Sequence, residues 1–379
     1  MPPWSSCPRR RTWSTRSPSR ARAGREPRSR DCLRSQAARR YARSDITVGG
    51  FVENRWPHYD GRNPSTPPPL DAGAVRGRRV LVTGSGGFIG SHLVQRLVDL
   101  GAEIHTVSRR AGRRETGWNV LRADLHDPVA TADVVRAVHP ELVFHLAGEV
   151  SGSRDVRMVL PTLAGNLQST VNLLTAATET GLPRVVLAGS MEEPEPEEAR
   201  STASSPYAVS KWAAAAYAQL FHGLWSLPTV VLRIAMAYGP AQPDGRKLVP
   251  YVVNSLLTGR EPELTSGTRE IDWVYVDDVV DAFVAAACTP DAAGRTFDIG
   301  SGRPVDIRRT VELLRQVVGT DVLPRYGAIE DRRLDTARIA DVRDAAELLG
   351  WRAAVGLQDG LSRTVEWYRD HPVAPGMTV

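Results

Sequence analysis

The chain has little cysteine and almost no lysine. Only Cys7, Cys32 and Cys288 occur in 379 residues, none of them in a CxxC or Cys/His spacing, so neither a disulfide framework nor a metal site is expected. No apolar run reaches the roughly eighteen residues that would span a bilayer, and the N-terminus lacks the hydrophobic stretch of a secretory signal. These absences predict a cytoplasmic protein with no membrane partner. Lysine occurs only at Lys211 and Lys247, among 48 basic residues. Where arginine is the default cation, a lysine points to a need for the compact ammonium.

The net charge of +5 and the pI near 9.3 would ordinarily suggest a nucleic-acid partner. Residues 1–45, however, hold thirteen arginines against Glu26, Asp31 and Asp45, a local charge of +10, and the remaining 334 residues sum to −5. The foldable part is mildly acidic, and no nucleic-acid partner is expected. Residues 1–76, rich in Arg, Ser and Pro and without a sustained period, read as a disordered basic extension.

From Arg78 the texture changes. Val80-Leu81-Val82 is an apolar run, a glycine loop follows, and 91–100 has helical periodicity closed by Gly101. Further strands are predicted at 104–107, 142–146, 185–188 and 229–234, and helices at 130–138, 167–180 and 208–224. Strands alternating with helices of this length imply a parallel sheet covered on both faces. Beyond Tyr238-Gly239-Pro240 the alternation loosens, with helices near 249–257, 279–287 and 308–318 and a strand near 273–276. The expected fold is α/β, a Rossmann-type doubly wound parallel sheet with a smaller C-terminal substrate-binding lobe. Its NAD(P)-binding domain would span 77–240, and the lobe, interleaved with it, 241–379.

Thr83-Gly84-Ser85-Gly86-Gly87-Phe88-Ile89-Gly90 sits between the first strand and the first helix. Glycines at 84, 87 and 90 allow a tight turn and close approach of backbone N–H groups, including those of Phe88 and Ile89, to a pyrophosphate at the helix N-terminus. The second strand ends in Ser108-Arg109-Arg110 instead of the acid that would bind the ribose hydroxyls of NAD. A small residue followed by arginines suits a 2′-phosphate, so NADP is the expected cofactor, with NAD the alternative. Asp124, with Leu125, would lie near the adenine, although Asp124 could equally cap the next helix.

Tyr207 and Lys211 stand four residues apart, on one face of a helical turn. A phenol with a reference pKa near 10 can exchange a proton around neutrality when a cation favours its ionised form, and Lys211 and the nicotinamide are the expected cations. With the glycine loop, His145-Leu146-Ala147-Gly148, Asn166, Tyr238-Gly239-Pro240 and the ending from Ala340-Asp341 to Trp367-Tyr368, the chain resembles the extended short-chain dehydrogenase/reductases, the NAD-dependent epimerase/dehydratase family, over about residues 78–370.

The resemblance implies a nucleotide-sugar substrate, cofactor contacts from Leu146 and Ala147, and a homodimer formed through the Asn166 and Tyr207 helices. It also implies a hydroxyl residue at the end of the fifth strand that bonds the sugar oxygen, a place held here by Ser190. Dehydratases of the family follow that residue with Asp then Glu; Met191 replaces the Asp, and Glu192 keeps the second place, either as a base or as part of a solvated acidic run with Glu193, Glu195, Glu197 and Glu198. Met236 and Ile271 replace a usual Asn and Arg, leaving Arg269 and Lys247 as candidate substrate-binding residues. The absent ribose acid inclines the reading to an NADP-dependent 4-ketoreductase, with an NAD-dependent 4-epimerase as the alternative, ahead of a dehydratase, a decarboxylase or a non-catalytic sensor.

Overall fold

Strand β1 (Arg79–Thr83) has Val80, Leu81 and Val82 all fully buried. A strand with both faces inside must be covered by helices on both sides, and the computed structural model has that arrangement. It describes residues 51–52, 74–109, 114–115, 117–181, 183–194, 203–331 and 337–372. The predicted extension over 1–76 lies almost wholly outside these residues, as does Arg110.

Seven parallel strands form the main sheet: β1, β2 (Glu103–Ser108), β3 (Asn119–Arg122), β4 (Leu142–His145), β5 (Arg184–Ser190), β6 (Thr229–Ile234) and β9 (Arg295–Ile299). Their order is β9-β6-β5-β4-β1-β2-β3. The direction of winding reverses between β1 and β4, which opens a crevice at the carboxyl ends of those strands. Val80 and Val82 face a core shared with α1 (Phe88–Asp99) and α6 (Val276–Cys288). Leu81, Val143, Val185 and Val231 face the other core, with α2 (Pro128–Val138), α3 (Ser169–Glu179) and α4 (Pro206–Trp225). Alternation along each strand therefore feeds both cores.

Two boundaries differ from the sequence expectation in ways that bear on the site. The segment before α3 is a π-helix, Leu163–Gln168, a geometry that wide-turn segments often adopt at functional sites. Helix α4 begins two residues earlier than predicted because Ser205 caps it, its Oγ accepting from the Ala208 N–H at 3.2 Å, and Pro206 fills the first position. Tyr207 consequently sits in the first turn of α4.

Only Ala235 separates β6 from β7 (Met236–Tyr238), which pairs with β8 (Glu270–Tyr275); β8 in turn pairs antiparallel with β10 (Pro304–Asp306). This small sheet, with α5 (Leu248–Leu257), α7 (Ile307–Val318) and α9 (Leu357–Asp370), encloses a third core in which Tyr238 meets Trp273 and Tyr275 edge-on. The chain after 240 also returns to the main sheet through β9, and Ala345 of α8 (Arg343–Leu348) packs on its core. Among the described residues no helix is long and apolar enough to cross a membrane.

Candidate active site

The glycine loop brings the ends of β1 and β4 together. Gly84 has φ +74°, and a Cβ there would lie 2.6 Å from the Ala147 nitrogen; at Gly90 it would lie 2.1 Å from the Gly84 carbonyl oxygen. Gly87 caps α1 without any side-chain bond, and no acid lies in the first turn. The first-turn N–H groups, those of Phe88 and Ile89 included, thus end the helix with its positive pole undiluted. The cradle fits a dinucleotide pyrophosphate.

Strand β2 ends on Ser108, with Arg109 exposed after it. The Ala123 N–H donates to the Ser108 carbonyl at 3.1 Å, which carries Asp124 alongside. Asp124 is exposed and its Oδ1 accepts from the His126 N–H. It does not cap α2; Asp127 does, accepting from Val129 and Ala130. The Leu125 side chain is buried in the core.

His145, at the end of β4, is enclosed. Its Nδ1 lies 2.8 Å from the Thr83 hydroxyl and its Nε2 3.0 Å from that of Thr170. Thr170 donates to the Asn166 carbonyl at 2.5 Å, so Nε2 carries the imidazole proton and Nδ1 accepts from Thr83. Burial, followed by the charge of Lys211, depresses the imidazole to about 3. It is a neutral strut that ties β1 to β4.

Ser190, Tyr207 and Lys211 converge at the end of β5. The Ser190 side chain interacts with the Tyr207 phenol and pulls it down, and the Ser190 Oγ accepts from the Glu192 N–H at 3.1 Å. Lys211 is buried, and its Nζ donates to the Ala188 carbonyl at 2.8 Å. Desolvation lowers the ammonium to about 8, against the opposing pull of Glu193. Desolvation raises the Tyr207 phenol above its ordinary range, opposed by the Ser190 bond and assisted by the charges of Glu192 and Glu193. The expected cationic neighbour is therefore not what dominates the phenol; burial does, ahead of Ser190 and of the two carboxylates.

A cleft of about 2320 Å³ opens beside this cluster, between β7 and the small sheet on one side and residues 150–154 on the other. Glu192, Lys247 and Arg269 all line it, with Met236 and Trp273. Glu192 is exposed there, whereas its neighbours Met191 and Glu193 are buried. Arg154 also lines the cleft, its Nε donating to the Ser204 carbonyl at 2.9 Å. The arrangement joins a dinucleotide cradle, a phenol and a hydroxyl that interact, and a cleft lined by Arg154, Lys247 and Arg269. It is suited to moving a hydride and a proton at one carbon of a long, anionic substrate.

Residues 80–300 match the NAD dependent epimerase/dehydratase family. The chain belongs to that family. UDP-glucose 4-epimerase of Mycolicibacterium smegmatis is 34% identical over 77% of this chain and 99% of its own length. A dTDP-glucose 4,6-dehydratase of Streptomyces griseus is 32% identical over 77% of this chain and 94% of its own. MoeE5, solved in complex with UDP-glucose and NAD, is 31% identical with a TM-score of 0.69, over 77% of this chain and 99% of that one. Family membership accounts for the Rossmann architecture and for the nucleotide-sugar chemistry that the resemblance implied.

Sequence reasoning missed Glu193 and Arg154. Glu193 was hidden within an acidic run that resembles a solvated loop, and Arg154 by the abundance of arginine. Neither has a local signal of its own.

Proposed function

We propose that the chain is an NAD-dependent nucleotide-sugar 4-epimerase, acting on a UDP-hexose by oxidising C4 and reducing it again from the opposite face. The observation that carries this reading is the likeness to the Mycolicibacterium smegmatis epimerase over 99% of that protein and 77% of this chain. Met191 supports it: elimination of water needs an acid for the leaving hydroxyl, and a buried methionine cannot supply one.

Gly84, Gly87, Phe88, Ile89 and Gly90 would hold the pyrophosphate, Ser108 and Asp124 the adenosine end, and Leu146 and Ala147 the crevice wall between them. A bound NAD would supply the acceptor for the C4 hydride and the source of its return. Tyr207 would exchange the C4 hydroxyl proton as the C–H bond breaks and re-forms, the positive charge of a bound nicotinamide offsetting the burial that raises the phenol. Ser190 bonds the C4 oxygen throughout and so fixes its distance from the phenol. Lys211 contributes positive charge behind the pair, and Lys247 and Arg269 grip the diphosphate. Glu192, exposed at the cleft, is left to contact the sugar.

The observation favouring a second reading, an NADP-dependent 4-ketoreductase, is Ser108 followed by Arg109 where an acid would bind the ribose hydroxyls of NAD. One experiment separates the two: UDP-glucose with NAD, followed by NMR, and dTDP-4-keto-6-deoxyglucose with NADPH or NADH, followed at 340 nm. Formation of UDP-galactose without net change in NAD supports the epimerase. Stoichiometric NADPH oxidation, with no interconversion of the UDP-sugars, overturns it in favour of the reductase.

We also infer that the active form is a homodimer. Val156 and Leu160 ahead of the π-helix, and Trp212, Leu220 and Leu224 on α4, are exposed at 80%, 74%, 43%, 43% and 65%. These two segments pack side by side, and a second copy presenting the same face would cover them.

A further inference from the structure

Gly189 of β5, Arg233 of β6 and Asp298 of β9 stand in register across three neighbouring strands. Residues in register share a face of the sheet, here the face that α4 covers. Arg233 Nε donates to Asp298 Oδ1 at 2.7 Å. The place on β5 beside them has no side chain of its own, because residue 189 is glycine. A Cβ built there would lie 2.8 Å from Glu193 Oε1. The Glu193 carboxylate therefore folds back into the space that a side chain at 189 would have taken.

Three consequences follow for a carboxylate so placed. Glu193 is only 3% exposed. Its Oε1 accepts from the backbone N–H of Ser190, the hydroxyl residue of the site, at 2.7 Å. Lys211 reaches the same strand end from α4, bonding the Ala188 carbonyl. The charged groups facing Glu193 are Lys211 from α4, Arg233 from β6 and Asp298 from β9; the Tyr207 phenol also feels its charge. Signs thus alternate along the row: Lys211, Glu193, Arg233, Asp298.

We propose that Glu193 is a positioning residue for the hydride-transfer set, supplying from a loop the carboxylate that position 189 lacks, fixing the backbone of Ser190 and setting a negative charge at the strand end on which Lys211 docks. This rests on the assignment of Ser190 and Lys211 under the proposed function. A neutral amide would serve the first task, since only an acceptor is needed; the second requires a negative charge. Burial raises the Glu193 carboxyl to about 7, with Lys211 pulling it down, while Glu193 holds Lys211 up. The two groups therefore change charge within the working pH range, each favouring the other's ionised form.

The presence of only two lysines allows a direct test on the full chain. Protein labelled with 13C at lysine Cε gives two signals, assigned by Lys247→Arg, and each is titrated alongside the pH profile of kcat. In the wild type the Lys211 signal is expected to move in two steps, the first near neutrality as Glu193 ionises. In E193Q, which keeps an acceptor for the Ser190 N–H, the Lys211 midpoint falls by roughly one pH unit. In the same variant kcat falls about tenfold with KM within about twofold, and the acid limb of the profile disappears. An E193Q enzyme with the wild-type midpoint and profile would overturn the proposal. If E193Q does not fold, a one-step Lys211 titration in the wild type overturns it instead. A chain that fails to epimerise UDP-sugars while its Lys211 signal still follows Glu193 would sink the functional reading and leave the positioning role standing.

Discussion

Asn166 holds the peptide of Glu149 from both sides. Its Oδ1 accepts the Glu149 N–H at 2.7 Å, and its Nδ2 donates to the Glu149 carbonyl at 3.1 Å. The same Nδ2 donates to Ser210 Oγ at 2.8 Å, and Ser210 donates to the Tyr207 carbonyl at 2.8 Å. The loop after β4 is thereby coupled to the turn that carries Tyr207. Asn166 lies within the π-helix, whose wider turn sets it at this depth.

Asn166→Ala would leave the Glu149 peptide and Ser210 without their shared partner. The expected result is a loss of about 2 kcal/mol in unfolding free energy, from two or three buried bonds, with kcat reduced more than KM is raised. Urea unfolding and steady-state kinetics on one preparation check both. A variant that melts lower but turns over normally would reduce the clamp to a purely structural feature.

Gly90→Ala places a methyl group 2.1 Å from the Gly84 carbonyl oxygen, a contact that only movement of the loop or helix can relieve. Affinity for NADH is expected to weaken by about 100-fold or more, as the pyrophosphate cradle opens. Fluorescence titration with NADH measures it directly. Wild-type affinity would show that the cofactor does not use this loop.

Tyr207→Phe removes the exchangeable proton and keeps the ring. A fall in kcat of about 10²- to 10⁴-fold with KM little changed is expected for loss of a general acid and base, and Ser190→Ala, which leaves the phenol in place but unaligned, should cost less. Retention of more than half the wild-type kcat in Tyr207→Phe would remove the phenol from the mechanism.

His145 gives acid sensitivity with a definite sign. Its native value of about 3 lies below the ordinary 6.5, so the unfolded chain binds the proton more readily. Its contribution is complete above pH 6.5 and is lost as pH falls towards 3, at up to about 1.4 kcal/mol per pH unit. His145→Phe should start less stable at pH 7 and converge on the wild type as the solution is acidified. Parallel stability curves from pH 7 to pH 4 would place the acid response elsewhere.

Leu160→Arg adds a charge to the exposed apolar face formed with α4. Sedimentation velocity should show the wild type as a dimer and the variant as a monomer at micromolar concentration, since a buried unpaired charge costs several kcal/mol across an interface. A monomeric wild type would leave that face for another partner.

Ser190 was legible only through the family resemblance; the sequence by itself determined the fold class, the glycine cradle and the pairing of Tyr207 with Lys211. Each is a local matter: Gly84, Gly87 and Gly90 share one loop, Tyr207 and Lys211 share one helix, and the apolar periods of β1, α1, β4 and α4 need no distant partner to be read. Strands β3 and β9 escaped notice because polar residues interrupt them, Asn119 and Arg122 in the first and Arg295, Thr296 and Asp298 in the second, and leave no apolar run. Only the tertiary structure decided which carboxylate of the acidic run lies inside. Glu192 and Glu193 are neighbours in sequence with the same chemistry, and what separates them is a gap in the side-chain row at Gly189, beside Arg233 and Asp298 more than forty residues away. Burial of a charge depends on partners brought from other strands, and no period along the chain encodes those partners.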